Sequence, residues 1–212
     1  MKEEIYNRYK NYNKSYCWQY DIRLKNLQQD LIEASLTQEK VANLKCCDFD
    51  FSFIPVDHKE QCYNIKKFIE KQEWLSNIPN RPTHRFISQF NGKLAGAIIL
   101  AVPNNFSNIL GKEYKHKEKL ISRGSCISWS PKNLASWMIS RSLDWMVKNT
   151  EFRIFTCYAD VEAGEMGTIY QALNFWYLGK TSGTLKQYFD LNNPNLGWFC
   201  DRHFRHWSMW KK

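Results

Sequence analysis

The sequence has no long hydrophobic segment and no regular cysteine framework. Its longest apolar run, Leu94 to Val102, is far too short to cross a bilayer, which requires about 20 residues. The N-terminal residues MKEEIYNRYKNYNK are polar and do not resemble a signal peptide. Seven cysteines cannot all pair, and Cys126 and Cys157 lie inside apolar runs typical of buried thiols. These absences exclude a membrane-spanning or disulfide-rich protein, and we expect a soluble, cytoplasmic one.

The composition is that of a folded, basic protein. Hydrophobic residues make up 43% and aromatic residues 16% of 212 residues, enough for one domain with or without an extension. No internal repeat or low-complexity segment is present. The net charge of +9 and the isoelectric point near 9.1 favour an anionic partner, such as nucleic acid or a phosphorylated cofactor. A basic protein with a well-solvated surface is the alternative interpretation of the same charge.

Hydrophobic periodicity predicts strands and helices after a mostly helical N-terminal region. Their order is strand, helix, hairpin, strand, helix, strand, helix, strand. The pair Asn91-Gly92 between two apolar runs indicates the hairpin, and Ser130-Pro131 predicts the start of the helix after the next strand. This order predicts a mixed α/β fold, with a mostly antiparallel central sheet flanked by helices and with late parallel crossovers.

The pattern divides the chain into three regions. We predict an N-terminal helical extension over residues 1–45, an α/β domain over residues 46–191, and a basic aromatic tail over residues 192–212. Within the domain, Phe152 to Thr181 predicts a strand, a polar turn and a helix. A strand that leads into a helix through a short loop builds a site at the carboxyl end of the strand. We therefore expect the functional site in this stretch.

Two motifs in this stretch carry a resemblance to a known family. YAD, ending at Asp160, and GTIYQALNFWYLGKT, from Gly167 to Thr181, resemble the Mom family of bacteriophage DNA-modification proteins. The upstream segment SWMISRSLDW is similar to the preceding helix of that family, so the resemblance runs from about Arg85 to Thr181. The succession of elements looks like the GNAT acyltransferase fold, of which the Mom family is a GNAT-like branch.

The resemblance implies a phage-type transferase that adds an acyl-derived group to the exocyclic amine of adenine and so protects DNA from restriction. The implied partner is double-stranded DNA in the cytoplasm of an infected bacterial host cell. The implied cofactor is acetyl-CoA or a related acyl donor, and the family also suggests iron. Two alternatives stay open. One is an ordinary GNAT N-acetyltransferase that uses acetyl-CoA on a protein, tRNA or small-molecule amine, and the other is a non-catalytic nucleic-acid-binding module.

The resemblance assigns the catalytic role to three residues. Tyr170 lies where many GNAT enzymes keep a tyrosine that protonates the departing thiolate, and a phenol with a pKa near 10 is protonated at neutral pH. Asp160 follows its strand, where it could orient an amine or accept its proton. Ser128 ends the preceding strand, where GNAT enzymes open their cleft. The alternatives are a Tyr170 packed against the sheet and an Asp160 that caps the next helix.

The cofactor-binding residues implied by the resemblance are Ser125, Trp129, Ser130, Lys132 and Asn133. In GNAT enzymes the pantetheine arm enters at the end of this strand, where backbone groups matter more than side chains. A Gly-rich loop usually follows and binds pyrophosphate at a helix N-terminus. The segment here is SPKNLAS, which lacks the paired glycines and contains a proline without an N–H donor. The charge of Lys132 and the polar side chains of Ser130 and Asn133 could compensate.

Two basic regions are predicted to bind DNA. Lys115 and Lys117 belong to a lysine-rich loop that precedes the central strand, and a long loop of this kind could hold a phosphate backbone. Arg202, Arg205 and Trp207 belong to the tail, where rings can stack on unpaired bases at roughly 1–3 kcal/mol per base while cations meet phosphates. A tail whose rings complete the core is the alternative.

Base flipping and metal binding are the last two expectations. An enzyme that acts on a duplex base must take the base out of the stack, and we name Trp129 or Tyr177 as the residue that holds it. Cys200, His203 and His206 lie at spacings of three, but no four-ligand zinc pattern accompanies them. No metal site is therefore predicted from these residues.

Overall fold

The computed structural model describes residues 17–79, 81–103, 110–179, 187–189, 191–192, 194 and 198–200. The chain divides into two units, residues 1–175 and 176–212. The described elements of the first unit are α1 (Trp18–Ala34), α2 (Gln38–Ala42), β1 (Asp50–Ile54), α3 (Lys59–Gln72), β2 (Pro82–Phe90), β3 (Lys93–Ala101), β4 (Glu118–Cys126), α4 (Leu134–Asn149), β5 (Ile154–Cys157) and α5 (Thr168–Gln171). Those of the second unit are β6 (Gln187–Phe189) and β7 (Trp198–Cys200). None of the helices in these ranges has the length and apolar character needed to cross a membrane.

The five strands of the first unit form one sheet in the order β1-β2-β3-β4-β5. Neighbouring strands are antiparallel from β1 to β4, whereas β5 runs parallel to β4. The β2–β3 hairpin turns at Asn91 and Gly92, whose φ angles of 50° and 75° fit a type I′ turn. In the second unit β6 and β7 form an antiparallel pair. The predicted fold, a GNAT-like α/β protein with a mostly antiparallel sheet flanked by helices, is confirmed.

The two faces of the sheet carry different cores. Helix α3 places Ile65 and Ile69, one turn apart, in an aliphatic cluster with residues of β1, β2 and β3. Helix α4 places Leu134 and Met138 in a second cluster that includes the buried ring of Phe86. Complete burial of one such side chain stabilises the fold by about 1.5–3 kcal/mol. The two helices are thereby fixed, and the end of α3 and the start of α4 both lie beside the carboxyl end of β4.

Helix α1 is bonded to the same region through a buried carboxylate. Asp30 is only 1% exposed, and its carboxylate accepts hydrogen bonds from Ser128 Oγ at 2.6 Å and Gln72 Nε2 at 2.8 Å. Lys71 Nζ lies 2.8 Å from the other carboxylate oxygen. Burial raises the pKa of Asp30, but these three partners outweigh it and hold the pKa below its ordinary value. The described part of the predicted N-terminal extension is therefore joined to the sheet rather than separate from it.

Two predicted helix positions differ from the structure. Helix α4 begins at Leu134 rather than at Ser130-Pro131, because Asn133 adopts a left-handed φ of 72° before the first helical residue. The predicted helix that carries Tyr170 and extends to Asn174 is a single turn, since Asn174 has a φ of 58°, outside the helical range. Asparagine tolerates this conformation better than most residues, so both changes have a local cause.

Candidate active site

The candidate active site begins where β4 and β5 part. The two strands pair only from Glu118 with Ile154 to Ile121 with Cys157. Strand β4 then continues to Cys126 while paired with β3 alone. Its backbone edge on the side of β5 is therefore not used by the sheet. Free backbone groups at the carboxyl ends of parallel strands are available to a ligand.

A buried carboxyl group, that of Glu73, lies at this free edge. Helix α3 ends at Gln72 because Glu73 takes an extended backbone with φ −111° and ψ 138°. The Glu73 side chain accepts a hydrogen bond from the Gly124 N–H of β4, and its Oε2 atom lies 3.4 Å from Arg123 Nε. No hydrogen-bond donor among the described residues reaches Oε2. That oxygen is buried without a hydrogen-bond partner in the described part of the chain and can take up a proton.

The surroundings of Glu73 bring its pKa into the physiological range. Burial raises the pKa to about 8, and the charge of Glu165 acts in the same direction. Arg123 and the Gly124 N–H oppose the shift but do not cancel it. Arg123 is in turn oriented by Asn77, whose Oδ1 accepts from Nη2 at 2.7 Å. A carboxyl group of this kind can take up and release a proton near neutral pH.

The turn after β5 forms the other wall of the cleft. Glu165 Oε1 accepts a hydrogen bond from Trp74 Nε1 at 2.9 Å, and its Oε2 accepts from the Asp160 backbone N–H at 2.9 Å. These bonds join the turn to the residue that follows Glu73. Because both carboxylate oxygens are used, Glu165 has a structural role and a charge that acts on Glu73 and Tyr170.

Tyr170 of helix α5 belongs to the same group of residues. Burial raises the pKa of its phenol far above the ordinary value, and Cys157, Glu165 and Glu73 add to the shift in that order. The ring packs against Phe175 at 5.6 Å between centroids. The phenol is therefore protonated at neutral pH and can act only as a proton or hydrogen-bond donor. Glu73 lies close enough for its charge to act on the phenol, and the two residues together offer a proton acceptor and a proton donor.

The other two residues predicted to be catalytic are placed differently. Asp160 has an exposed side chain, while its backbone C=O accepts from the Glu165 N–H at 3.0 Å and so closes the turn. Ser128 is buried and donates its hydroxyl hydrogen to Asp30 at 2.6 Å, while its carbonyl accepts from Arg23 Nη2 at 2.9 Å. The structure thus joins Ser128 to helix α1 and not to Glu73. Its catalytic role stays a prediction without a contact in its favour.

The predicted cofactor residues are divided between the core and the loop. Ser125 Oγ donates to the carbonyl of Gln72 at 2.6 Å, and Ser130 Oγ accepts from Arg23 Nη2 at 3.2 Å. Trp129 is 4% exposed and lies against Phe49 and Phe90, with its Nε1 donating to the Asp30 carbonyl at 3.2 Å. The expectation that Trp129 holds a flipped base is wrong, because its ring is enclosed in the core.

Lys132 and Asn133 precede helix α4. Lys132 is exposed, and its carbonyl accepts a weak hydrogen bond from Cys46 Sγ at 3.8 Å. Asn133 has the left-handed backbone that a glycine commonly provides in a loop of this kind, and its carbonyl accepts from the Trp137 N–H at 2.9 Å. Asn133 therefore supplies a left-handed backbone conformation of the kind that the missing glycines would otherwise provide.

Lys115 and Lys117, two of the predicted DNA-binding residues, are not brought to the cleft. Lys115 and Lys117 lie in the 3₁₀ segment Lys112–Lys117, which leads into the first residue of β4. The cleft is at the opposite end of that strand, because the free edge begins after Ile121. Arg202, Arg205 and Trp207 lie outside the described residues, as do His203 and His206, so their roles stay predictions. Within the described ranges no group of His, Cys, Asp or Glu side chains could hold a metal ion, and the suggested iron has no support there.

Sequence reasoning missed Glu73 and Arg123. Glu73 is one of many acidic residues and follows an amphipathic helix in the manner of an exposed one. Its burial comes from neighbours on β4 and in the turn after β5, which are distant in sequence. Arg123 occupies a strand position on the α3 face, where it could only be predicted from the sheet register.

The sheet topology and the cleft define a GNAT-like fold, and a comparison of families agrees with it. Residues 56–197 match the model of the Mom protein family, which is well over half of the chain. The chain therefore belongs to the Mom protein family. A comparison with curated proteins finds no match. The family and the fold support an acyl-transferase-like function.

Several solved structures with similar backbones are acetyltransferases of low sequence identity. An aminoglycoside acetyltransferase from an uncultured soil metagenomic sample, in complex with trehalose, is 13% identical with a TM-score of 0.46, over 66% of this chain and 97% of that chain. An aminoglycoside N-acetyltransferase in complex with CoA is 13% identical with a TM-score of 0.48, over 65% and 94%. A ribosomal-protein-alanine N-acetyltransferase from Brucella melitensis is 10% identical with a TM-score of 0.41, over 65% and 98%.

Proposed function

We propose that this chain is a DNA-modifying transferase that adds an acyl-derived group to the exocyclic amine of adenine in double-stranded DNA. The modification would protect phage DNA from restriction in the cytoplasm of the infected bacterium. The observation that carries the proposal is the buried Glu73 carboxyl at the free edge of β4, close enough for its charge to act on Tyr170, inside the region matched by the Mom family.

The proposed role of Glu73 follows from the chemistry of the amine. The lone pair of an exocyclic base amine is delocalised into the ring, so its proton must leave as the new N–C bond forms. Glu73 accepts that proton, and its pKa of about 8 suits a base that works near neutral pH. Tyr170 keeps its proton at this pH and donates it to the departing group. Proton transfer from Glu73 back to Tyr170 restores the starting state.

The residues present fit an acyl thioester in part. Such a donor supplies an activated carbonyl when it is bound. The edge of β4 beyond Ile121, which β5 does not pair with, would hold the extended part of the donor. Asn133 and the first turn of α4 would face its phosphate groups, helped by the charge of Lys132. Ser130 can still donate its hydroxyl hydrogen, because its Oγ is an acceptor in the bond from Arg23.

DNA as the substrate is supported by charge and by the family. The net charge of +9 would attract the phosphate backbone, and the predicted stacking residues of the tail would stabilise bases that leave the duplex. Arg202, Arg205 and Trp207 are the residues proposed for this contact, and Lys115 with Lys117 would contact the backbone at a distance from the cleft.

The test is mass spectrometry of nucleosides from the DNA of bacteria that express the chain. We expect a modified deoxyadenosine whose added mass identifies the transferred group. Glu73→Gln should abolish the product, whereas Glu118→Gln, a buried glutamate at the far end of β4, should retain it. Unmodified adenine in cells that contain folded protein would refute the proposal. Acetylation of a protein, tRNA or small amine by the purified chain would instead identify an ordinary N-acetyltransferase.

A further inference from the structure

Helix α1 lies outside residues 56–197, which the family model matches, yet its first turn reaches the candidate base. Gln19 is the residue that makes the contact. Its Nε2 donates to the carbonyl of Gln72 at 2.7 Å, and its Oε1 accepts from the N–H of Trp74 at 3.2 Å. One side-chain amide therefore bridges the two residues on either side of Glu73.

This bridge meets the backbone where α3 ends. The last carbonyls of a helix and the first N–H groups after it have no partners within the helix, so their direction depends on outside groups. Gln19 supplies one donor and one acceptor at this position. The carbonyl of Gln72 also accepts from Ser125 Oγ at 2.6 Å, and Ser125 Oγ in turn accepts from Gln19 Nε2 at 3.3 Å. The contact thus joins α1, α3 and β4 around Glu73.

The first turn of α1 also contacts Trp74 through a ring. Trp18 and Trp74 meet edge to face with 5.1 Å between their centroids. The indole N–H of Trp74 is donated to Glu165 on the opposite wall of the cleft. Trp74 therefore links α1 to both sides of the site, and its position depends on Trp18 and Gln19.

We propose that Gln19 is a positioning residue, whose amide sets the backbone on both sides of Glu73 and makes helix α1 part of the active site. Its effect on catalysis rests on the proposed function, whereas its effect on the Glu73 carboxyl does not. The groups that face this carboxyl are Arg123 and the Gly124 N–H from β4, Glu165 from the turn after β5, and Tyr170 from α5. Gln19 itself is neutral. One replacement can therefore release the backbone beside Glu73 without adding a charge, and another can add a charge near Glu73.

The experiment is a ¹³C NMR titration of the glutamate carboxyls in the full chain, with the Glu73 signal assigned by its loss in Glu73→Gln. Gln19→Glu keeps an acceptor for Trp74 but adds a negative charge, so the Glu73 titration midpoint should rise. Gln19→Ala releases the backbone and admits water, so the midpoint should fall by about one unit toward the ordinary carboxyl value. The two shifts have opposite signs, which a general loss of stability cannot produce.

Asn26→Ala is the matched control. Asn26 lies two turns along α1 and donates to the carbonyl of Lys71 at 2.8 Å, which is the same kind of bond to the same helix. We expect no shift of the Glu73 midpoint in this variant. If adenine modification is confirmed, Gln19→Ala should lower kcat by about tenfold with KM unchanged, and Asn26→Ala should not.

Two results would overturn the inference. One is a Glu73 midpoint that is the same in the wild type, Gln19→Ala and Gln19→Glu. The other is an equal loss of thermal stability and an equal midpoint shift for the variants of Gln19 and Asn26. If Gln19→Ala does not fold, Gln19→Met, which keeps the side-chain length but removes the donor and the acceptor, should give the same fall of the Glu73 midpoint and decides the question. The absence of adenine modification would refute the proposed function but leave the titration result unaffected.

Discussion

The two ends of strand β4 both bury charged side chains, but only one end leaves its backbone open. At the paired end, Glu118 is 2% exposed and accepts from Thr156 Oγ1 at 2.9 Å, within the stretch where β4 and β5 are joined. Lys119 is also buried, with its Nζ 4.3 Å from the centre of the Phe152 ring. At the cleft end, Glu73 faces a strand edge that the sheet does not use.

The two ends also show what a shifted pKa can and cannot indicate. At the paired end, burial and the charge of Lys119 lower the pKa of His84 to about 4, yet His84 lies among Phe53, Trp145 and Phe152. At the cleft end, burial raises the pKa of Glu73 to about 8. The magnitudes are comparable, so the shift alone does not identify a site. The free strand edge beside Glu73 makes the difference.

The largest expected effect tests this difference directly. Glu73→Gln should lower the rate of transfer by about 100- to 1,000-fold, because the amine proton loses its acceptor. Glu118→Gln should leave the rate within about twofold, since an amide oxygen still accepts from Thr156. The measurement is the rate of nucleoside modification by purified protein, with circular dichroism to confirm folding. Equal losses in the two variants would remove the distinction between the ends.

A smaller loss of the transfer rate is expected when the proposed proton donor, Tyr170, is changed. Tyr170→Phe keeps the ring against Phe175 but removes the hydroxyl group, and the rate should fall by roughly 10- to 100-fold. The control is Tyr158→Phe, a change at an exposed tyrosine that follows β5. We expect this control to keep its rate. An unchanged rate in Tyr170→Phe would leave Tyr170 with a packing role alone.

Two glycines allow the packing around β4 near the cleft to be compared with that around the neighbouring strand β3. A Cβ at Gly96 would collide with Met138 Sδ and lie 2.7 Å from Ser88 Oγ, so Gly96→Ala should cost about 1–3 kcal/mol of stability. A Cβ at Gly124 would meet only ordinary contacts at 3.6 Å, and Gly124→Ala should change stability by less than about 0.5 kcal/mol. Urea unfolding of both variants measures the difference. Similar changes in the free energy of unfolding for the two variants would mean that α4 does not pack closely at Gly96.

A further expected effect is a dependence of stability on pH that has opposite signs at the two ends. Folded Glu73 keeps its proton up to about pH 8, whereas the unfolded chain releases it near 4.5, so stability is lost as the pH rises through this range. Folded His84 binds its proton only near pH 4, whereas the unfolded chain binds it near 6.5, so stability is lost as the pH falls from 6.5 to 4.

Urea midpoints measured from pH 4 to 8 separate these two contributions. Glu73→Gln should reduce the loss at high pH, and His84→Phe should reduce the loss at low pH. Each variant serves as the control for the other, because the two sites lie at opposite ends of β4. A slope at high pH that persists in Glu73→Gln would contradict the raised pKa of this carboxyl.

Much of the fold was predictable because its signals are local. The Asn91-Gly92 hairpin was correct, since a two-residue turn with positive φ angles requires such residues. The predicted start of α4 was wrong by three residues because Ser130-Pro131 is a common helix start, and nothing nearby in sequence indicated that Asn133 would take a left-handed conformation. Tyr170 was found through the family motif, and the structure places its phenol within range of Glu73.

The site itself was only partly predictable because burial depends on distant segments. Trp129 and Ser128 were predicted to end β4, but they follow its last residue, Cys126, and both contact Asp30, about 100 residues earlier in the chain. No periodicity in the sequence around Asp30 or Gln19 indicates such contacts. The predicted extension of residues 1–45 therefore contains side chains that belong to the neighbourhood of the cleft.

The sequence by itself determined the order of the elements, the mixed sheet and the family. These rest on alternation of apolar residues, turn residues and one specific motif, all of which act within short stretches of chain. Only the tertiary structure decided which carboxyl is buried at a free strand edge. That property requires Gln19, Glu73, Gly124 and Glu165 to meet, and their proximity arises from the packing of α1, α3 and the turn after β5 against β4 and not from any local pattern.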